Sequence, residues 1–307
     1  MMLQEETISK EEQLIEQMAD ITLDKHPALE GLIKPFSSIF KAKARLMEEL
    51  KQESIRINLS AGPLASETPS LMGIDFEPLR KPLEQAAESM SGALSMAFPE
   101  LSQQISDISG EVKAGRIDFV LLARNYLESA SRGFDSVAQP AGLSPDCLDL
   151  VVRLSLSAVL EALVPPASSE LEQTYKGKGY CPVCGFPPSI SYLDRVPESQ
   201  SEFLKGGGGQ KYLHCSLCGH NWRILRHTCP ACGTDEPEDR VYFQVDDAGE
   251  RVDVCQNCNV YLPCIDLRVA GSLHHLEVSA VGMVYLDVMA QGKGFKPMSA
   301  TPWNRLG

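Results

Sequence analysis

The sequence predicts a multidomain α+β protein: an N-terminal all-α helical bundle, two small rubredoxin-like or zinc-ribbon modules, and a C-terminal helix. Two observations lead to this prediction. Apolar side chains recur at spacings of three and four over roughly residues 10–164, which is helical periodicity. Four Cys-x-x-Cys pairs then lie within residues 181–258, among segments that alternate like strands. We predict domains at 1–172, 173–225 and 226–307.

The first half contains about five or six helices by its breakers and apolar spacing. One apolar stripe begins at Leu29 and continues to Phe40, and Pro35 inside it is expected to kink or split that helix. A second stripe runs from Leu79 to Met96. Ser144 followed by Pro145 is typical of a helix start, with serine as the N-cap and proline in the first turn.

A polar linker, which we place at 167–179, separates the helical half from a second half whose residue pattern is typical of strands. Strands are expected at 189–193, 211–214, 240–245, 250–254 and 261–268, with residues 246–249 as the turn of a hairpin. Residues 276–290 return to helical character, and residues 292–307 are expected to form an irregular tail.

The charge is uneven and limits the classes of partner. The net charge of −13 divides into −12 for residues 1–172 and −1 for residues 173–307. Nucleic-acid binding needs clustered Lys and Arg, so a nucleic-acid partner is not expected. No apolar stretch approaches the roughly 18 residues of a membrane span, so stable membrane insertion is not expected either. The acidic, polar start does not resemble a secretory signal, and we expect a cytoplasmic protein.

The four cysteine pairs predict metal binding. In the reducing cytoplasm, paired cysteines favour metal ligation over disulfides, and a thioredoxin-like redox centre needs only one pair. Two residues between thiolates let both sulfurs reach one ion from one turn, and two turns complete a tetrahedral site. Only ten residues separate the second and third pairs, so consecutive pairs should share an ion. The predicted ligands are Cys181, Cys184, Cys215 and Cys218 for one ion, and Cys229, Cys232, Cys255 and Cys258 for the other.

The residues that follow each pair support this interpretation. The backbone after the second cysteine of such a turn often needs a positive φ, which glycine adopts freely and asparagine tolerates. Those positions are occupied by Gly185, Gly219, Gly233 and Asn259. Four thiolates suit zinc, and they also suit iron, so the residues themselves leave the metal open.

The remaining thiols and imidazoles are not expected to be ligands. Cys147 sits among apolar residues and is predicted to be a buried thiol, and Cys264 is predicted to be a strand thiol. Three histidines lie near the cysteine pairs, and two precede the C-terminal helix, where a solvated cap is expected; they are His214, His220, His227, His274 and His275.

Catalytic signatures are absent from the sequence. The glycines at 206–209 lack the following Lys-Ser/Thr of a phosphate loop, and no nucleophile elbow or His-Glu-x-x-His helix appears. Two metal sites saturated by protein ligands leave no position for a substrate. We therefore expect a binding or scaffold protein and no enzyme. The alternatives are a small electron carrier, a thiol–disulfide oxidoreductase, and a zinc-ribbon nucleic-acid binder that the charge disfavours.

The cysteine region resembles the formate dehydrogenase accessory protein (FdhE) family. The resemblance rests on Tyr-Leu-His-Cys-Ser-Leu-Cys-Gly at 212–219 with Trp222 after it, on Cys-Pro-Val-Cys-Gly at 181–185, and on the cysteines and Tyr-Leu at 255–262. It implies a helical domain followed by two rubredoxin-like modules. It also implies a cytoplasmic, non-catalytic role in maturing a respiratory formate dehydrogenase, in contact with the catalytic subunit before export. Two metal ions are implied, with iron favoured over zinc.

Two features depart from the family pattern. Pro263 and Cys264 follow the Tyr-Leu pair where the family tends to have lysine, and the glycine-rich loop lengthens the first module. We expect the groove between the helical half and the cysteine turns to receive the partner. Trp222, Phe243 and Tyr261 are candidate contact aromatics, although packing inside the modules is favoured for each.

Overall fold

A computed structural model describes residues 9–53, 55, 57, 68–128, 134–164, 179–194, 209–245, 249–271 and 274–305. Within these ranges, a helical N-terminal region is followed by a sheet region and short C-terminal helices, which is the predicted fold class. All of the predicted linker 167–179 except its last residue lies outside the described residues, as do the glycines at 206–208 and the hairpin tip at 246–248. The domain boundaries at 172 and 225 stay a prediction.

The described helical region contains seven α-helices. They are α1 (Lys10–Lys25), α2 (Glu30–Gln52), α3 (Arg80–Ala97), α4 (Ser102–Lys113), α5 (Phe119–Glu128), α6 (Asp135–Ala138) and α7 (Pro145–Leu163). The expected break at Pro35 does not occur, because α2 continues through it. Buried Ile33 and Phe36 lie on either side of the proline in the chain, and their packing keeps the helix continuous despite the lost hydrogen bond.

Helix α7 is the centre of the helical region. It begins as predicted, with the Ser144 hydroxyl accepting from the Cys147 N–H and Pro145 in the first turn. Thirteen of its 19 residues are buried, which is the pattern of a helix surrounded by others. Within the part of the chain that the structure describes, no helix combines the length and apolar composition required to cross a membrane.

One twisted sheet holds both cysteine modules. Its strands are β1 (Ile190–Asp194), β2 (Gln210–His214), β3 (Asn221–Ile224), β4 (Arg240–Gln244), β5 (Glu250–Cys255), β6 (Val260–Asp266) and β7 (Lys296–Pro297). The order is β3-β2-β1-β6-β5-β4, and β7 pairs with the start of β6. The predicted hairpin is confirmed, since β4 and β5 pair antiparallel from Arg240–Cys255 to Gln244–Arg251. Strand β3 was not predicted.

The two modules meet at a parallel strand pair. Strand β1 pairs with β6 through Ser191–Cys264, Tyr192–Ile265 and Leu193–Asp266. A buried ion pair also links them, since Lys211 Nζ on β2 lies 2.5 Å from Asp253 Oδ2 on β5. The sheet therefore runs from one module into the other without a gap.

The C-terminal helix differs from its prediction. The predicted single helix over 276–290 is two helices, labelled α9 (Leu276–Gly282) and α10 (Val284–Gly292), which follow the short α8 (Leu267–Ala270). The break comes at Met283, whose N–H caps the end of α9 at the Ser279 and Val281 carbonyls. A Cβ at Gly282 would lie 2.7 Å from Thr22 Cγ2, so glycine allows α9 to approach α1 closely at this break.

The expected irregular tail is packed against the rest of the protein. Strand β7 joins the sheet, and Trp303 contacts two aromatic rings of α2 edge-on, Phe36 at 5.5 Å and Phe40 at 6.3 Å between centroids. Arg153 of α7 donates to the Ala300 carbonyl at 2.7 Å. The C-terminus thus ties the sheet back onto the helical region.

Candidate metal centres

The first four cysteines converge in the core of the protein. Group A consists of Cys181 and Cys184, in the turn before β1, with Cys215 and Cys218, in the turn between β2 and β3. The Sγ atoms of Cys181 and Cys218 are 3.5 Å apart, and those of Cys184 and Cys215 are 3.4 Å apart. All four side chains are buried.

The second four cysteines form an equivalent arrangement nearer the surface. Group B consists of Cys229 and Cys232, before β4, with Cys255 at the end of β5 and Cys258 in the turn that follows. The Sγ distances are 3.8 Å for Cys229–Cys258 and 3.8 Å for Cys232–Cys255. Cys229 and Cys255 are buried, Cys258 is partly exposed and Cys232 is exposed.

The donor sets fit a tetrahedrally bound ion. In each group the four sulfurs lie within 4.8 Å of one another. Four thiolates that each stand about 2.3 Å from one ion are about 3.8 Å apart from each other. The separations of 3.8 Å in group B match this spacing, and those of 3.4 and 3.5 Å in group A are slightly shorter. In both groups, consecutive pairs of the chain come together, as the sequence predicts. Each group could therefore bind one ion through four thiolates, and the assignment of these cysteines as ligands remains a prediction.

The backbone of all four turns is set for this geometry. The residue after each second cysteine has a positive φ, with Gly185 at 80°, Gly219 at 68°, Gly233 at 79° and Asn259 at 57°. The N–H of each donates to the carbonyl of the first cysteine of its pair, at 2.8 to 2.9 Å. The prediction of left-handed residues at these positions is confirmed. A side chain with a branched Cβ would strain each turn.

The pKa values show how the thiols respond to their surroundings. Burial raises the pKa of Cys184 and of Cys218 well above its usual range. Burial opposes the charge of Cys215 as well, but hydrogen bonds from the other thiols and the Leu217 N–H lower its pKa. At Cys232, burial is outweighed by the Thr234 N–H and the Asn257 amide, which lower the pKa to about 7. A bound cation would favour the thiolate form in both groups.

The N-terminal helical region covers the two cysteine turns of group A. The Leu71 N–H donates to the Val183 carbonyl at 2.8 Å. Phe186 stacks on Tyr126 of α5 with centroids 5.3 Å apart. On the other turn, Arg153 of α7 donates to the Ser216 hydroxyl at 2.9 Å. The first module is therefore anchored to the helices at both of its cysteine turns.

The other thiols and histidines lie outside the two groups. Cys147 is buried in α7 and its thiol lies 3.0 Å from Gln104 Oε1. Cys264 is buried within β6, as expected of a strand thiol. The four-residue groups found among the described residues contain cysteines alone. His214 bonds Asn221 through Nδ1 at 2.9 Å. His275 caps the start of α9 as expected, but the cap is not solvated, because its side chain is only 11% exposed and the Nε2 atom of His274 is buried.

The aromatic residues considered for partner contact are largely internal. Trp222 is 2% exposed and Tyr261 is fully buried, so both pack inside the modules, and neither is available as a contact residue. Phe243 is partly exposed and packs against Phe295, with the Lys293 ammonium 5.2 Å from its ring centroid.

Sequence reasoning missed a buried ionic cluster where the helices meet the first module. Lys43 of α2 is 3% exposed and donates to Glu161 of α7 at 2.6 Å and to Glu277 of α9 at 2.9 Å. Burial disfavours the charge of Lys43, but the two carboxylates more than offset this and raise its pKa. The three residues are far apart in the chain, and no local pattern brings them together. Beside them lies a pocket of about 230 Å³ that also borders His214 and His275.

Comparison with known proteins shows what these features are similar to. The model of the FdhE central domain matches residues 180–226, which contain group A. A protein FdhE homolog from Aquifex aeolicus is 25% identical over 268 residues, covering 87% of this chain and 83% of that protein. A protein FdhE homolog from Shewanella baltica is 29% identical over 124 residues, covering 40% of this chain and 37% of its own length.

A solved structure shares the whole fold. The crystal structure of the FdhE protein from Pseudomonas aeruginosa superposes with a TM-score of 0.65 at 16% identity, over 98% of this chain and 96% of that one. At this identity the likeness establishes the fold. The central-domain match, the relatives and the paired cysteine groups together support an FdhE family protein.

Proposed function

We propose that the chain is a cytoplasmic accessory protein that binds the catalytic subunit of a respiratory formate dehydrogenase before export and catalyses no reaction itself. The observation that carries this proposal is the likeness to the FdhE family, which supports a formate dehydrogenase accessory role. Both cysteine groups supply four thiolates to one position, and a site filled by four protein ligands serves structure better than catalysis.

We propose that the eight cysteines hold two ions, with iron favoured and zinc as the alternative. Four soft thiolate donors suit either ion, so the donor set fits both. Metal binding would contribute folding energy directly, because small modules of this kind have little core of their own. The chain's own residues then present a fixed surface to the partner.

We place the partner surface at the groove where α1, α7 and α9 meet the turn of Cys215 and Cys218. The pocket in this groove is bordered by carboxylates and imidazoles, among them Glu11, Glu161, His275 and Glu277. Glu11 is 55% exposed at its mouth and bonds His275 at 3.3 Å. The exposed carboxylate of Glu11 at the mouth offers a charge that a complementary group of a protein partner can approach.

An anaerobic affinity pull-down from the native cytoplasm tests the proposal. The tagged, metal-loaded protein should recover a formate dehydrogenase catalytic subunit that still carries its export signal, identified by mass spectrometry. Recovery of no molybdenum- or tungsten-type enzyme by an intact, metal-loaded bait would refute the accessory role.

A pair of charge-reversal variants tests the groove itself. Glu11→Lys reverses a charge at the mouth of the pocket and should reduce recovery of the partner by about tenfold, because close charge pairs contribute about 1.5 kcal/mol or more at interfaces. Glu16→Lys makes the same change at an exposed position of the same helix outside the pocket lining and should leave recovery unchanged. Equal recovery by both variants would move the partner surface away from this groove.

A rubredoxin-like electron carrier or a thiol-redox protein is the second candidate, and the exposure of Cys232 favours it. An ion held near the surface can exchange electrons with a docked partner. Iron-loaded protein that is reduced and reoxidised reversibly by the partner enzyme would support this function. Tightly held metal that does not change oxidation state would exclude it.

A further inference from the structure

The two cysteine groups differ sharply in their surroundings. In group A, the residues between the cysteines are buried: Pro182 and Val183 in one turn, Ser216 and Leu217 in the other. In group B, the corresponding residues reach the surface: Pro230 is partly exposed, and Ala231, Gln256 and Asn257 are exposed. The same ligand chemistry thus occupies a sealed position in one module and an open one in the other.

The helical region accounts for this difference. The turns of group A are covered by the segment around Leu71, by α5 and by α7, through the contacts of Val183, Phe186 and Ser216. In group B, the turn of Cys255 and Cys258 contacts the short 3-10 helix that precedes β4, through the Gln256 N–H donating to the Asp239 carbonyl at 2.9 Å. Removing a thiolate from an ion requires an incoming ligand or a proton to reach it, and the shell around a site controls that access.

We infer that the two sites have separate roles: group A is a permanent structural site, and group B is a site that exchanges its soft divalent ion with ligands in solution. Exchange begins at Cys232, the only exposed thiol in either group. An incoming chelator or small thiol would take the place of the Cys232 sulfur, and the freed thiolate would be protonated by the buffered solvent. Cys258, which is partly exposed, would be displaced next, and buried Cys229 and Cys255 would be displaced last.

The Cys232 sulfur accepts hydrogen bonds from two groups of its own module, the Thr234 N–H and the Asn257 amide. The exposed Asn257 amide, at 3.5 Å, lies at the surface and can stabilise the departing thiolate. In group A, movement of Cys215 or Cys218 would disturb the Ser216 contact with Arg153, which in turn holds the Ala300 carbonyl. Release from group A therefore requires the helices and the C-terminal tail to open.

Chelator-driven release from the full-length, zinc-loaded protein tests the inference. The probe is 4-(2-pyridylazo)resorcinol in excess, and the readout is its absorbance as it captures zinc. We expect one ion per chain to leave fast and the other more slowly by about 10- to 100-fold, because outer-shell contacts change metal affinity by that factor. Release of both ions in one phase would overturn the inference.

Variants assign the two phases. Cys232→Ser should remove the fast phase and leave one slowly released ion, whereas Cys147→Ser, a matched change outside both groups, should leave both phases as they are. A fast phase that survives in Cys232→Ser would overturn the assignment.

Alkylation of the wild-type protein tests the order in which the cysteines become accessible, without the need for a variant. The zinc-loaded protein is treated with iodoacetamide for increasing times, quenched and mapped by mass spectrometry. Cys232 should be carbamidomethylated first and the group A cysteines last. Labelling of any group A cysteine before Cys232 would contradict the proposed order.

Discussion

Asp287 is a carboxyl group in an environment that disfavours its charge. It is 1% exposed, and its Oδ1 accepts from the Tyr261 hydroxyl at 2.6 Å. No partner of its Oδ2 is found among the described residues. Burial raises the pKa of Asp287 to about 6 in spite of the hydrogen bonds from Tyr261 and Asn304. The folded protein therefore holds a proton on Asp287 that the unfolded chain releases at lower pH.

This shift predicts a pH dependence of stability. Because the folded pKa lies above the unfolded value, the contribution of Asp287 is present below the unfolded pKa and is lost as the pH rises through about 6. The stability of the wild type relative to Asp287→Asn should fall by about 1 kcal/mol between pH 5 and pH 7. Urea unfolding of the metal-loaded wild type and the metal-loaded Asp287→Asn variant at each pH measures this difference. Because both proteins contain the same cysteines, the effect of cysteine titration on stability cancels between them.

A wild-type advantage that stays constant over this pH range would mean that Asp287 ionises at its ordinary pKa in the folded protein. The conclusion would then be that water reaches the carboxyl group, and the Tyr261 hydrogen bond would lose its role in holding the proton.

Residues differ in how far sequence alone can place them. Asn259 and the glycines of the cysteine turns are predictable because the need for a positive φ is local to each turn. The contact of Lys43 with Glu161 and Glu277 is not, because its partners are 118 and 234 residues away along the chain. Asp287 gives no signal for the same reason, since its burial depends on the packed C-terminal tail.

Among the elements, α9 shows how a single contact sets a helix end. Gly282 closes α9 against α1, where a Cβ would lie 2.7 Å from Thr22 Cγ2. Thr22 cannot easily move away, because its hydroxyl donates to the Met18 carbonyl at 2.7 Å.

Matched glycine-to-alanine substitutions test this contact. Gly282→Ala should destabilise the protein by about 1–3 kcal/mol, because the added methyl group overpacks the α1–α9 interface. Gly92→Ala, in the exposed middle of α3 with nothing within 4 Å of the new Cβ, should stabilise it by about 0.5–1 kcal/mol. Urea unfolding of the two variants gives both numbers, and stabilisation by both would show that α9 can shift away from α1.

Helices and strands, like single residues, can be predicted from the sequence where their cause is local and cannot where it is a contact with a distant part of the chain. Periodicity and capping predict α7 and its start, and the hairpin of β4 and β5 follows from alternation around a turn. Strand β3 has only four residues, too few for alternation to be recognised. The break between α9 and α10 comes from the contact of Gly282 with another helix, which a one-dimensional pattern does not contain.

At the scale of the whole molecule, the helical region and the first cysteine module share one hydrophobic core. Leu160 of α7, Val183 and Leu217 of the cysteine turns, and Trp222 of β3 belong to a single buried cluster. The helices therefore depend on the geometry of group A as well as on their own packing.

Removing the metal should consequently destabilise the helices along with the modules. Ligand binding to the folded state at a thousandfold excess over Kd stabilises it by about 4 kcal/mol. For a chain of this size that corresponds to a fall in Tm of about 6 °C on chelation. Circular dichroism at 222 nm, which reports mainly the helices, measures the change with and without excess chelator.

Helices that melt at the same temperature in both conditions would show that the helical region folds independently of group A. The same conclusion would follow if the melting temperature of the metal-bound protein did not change with the concentration of free ion.

The joining of the two modules was beyond the reach of the sequence. The repeated cysteine pairs predict two similar units, and the residues give no sign that β1 and β6 pair in parallel. Only three residue pairs join the two strands, and so few pairs leave no recognisable pattern of side chains in either sequence. Which distant strands pair depends on how the helices place the two modules.

That parallel pairing gives the sheet two unlike ends. Strands β1 and β6 start at the same end, so both cysteine groups lie there, while β1 to β2 and β4 to β5 turn back at the other end, at Asp194–Gln210 and Gln244–Arg251. Chain length added to either hairpin is thus added away from the thiols. This end of the sheet is a natural place to insert a fluorescent reporter into the intact protein.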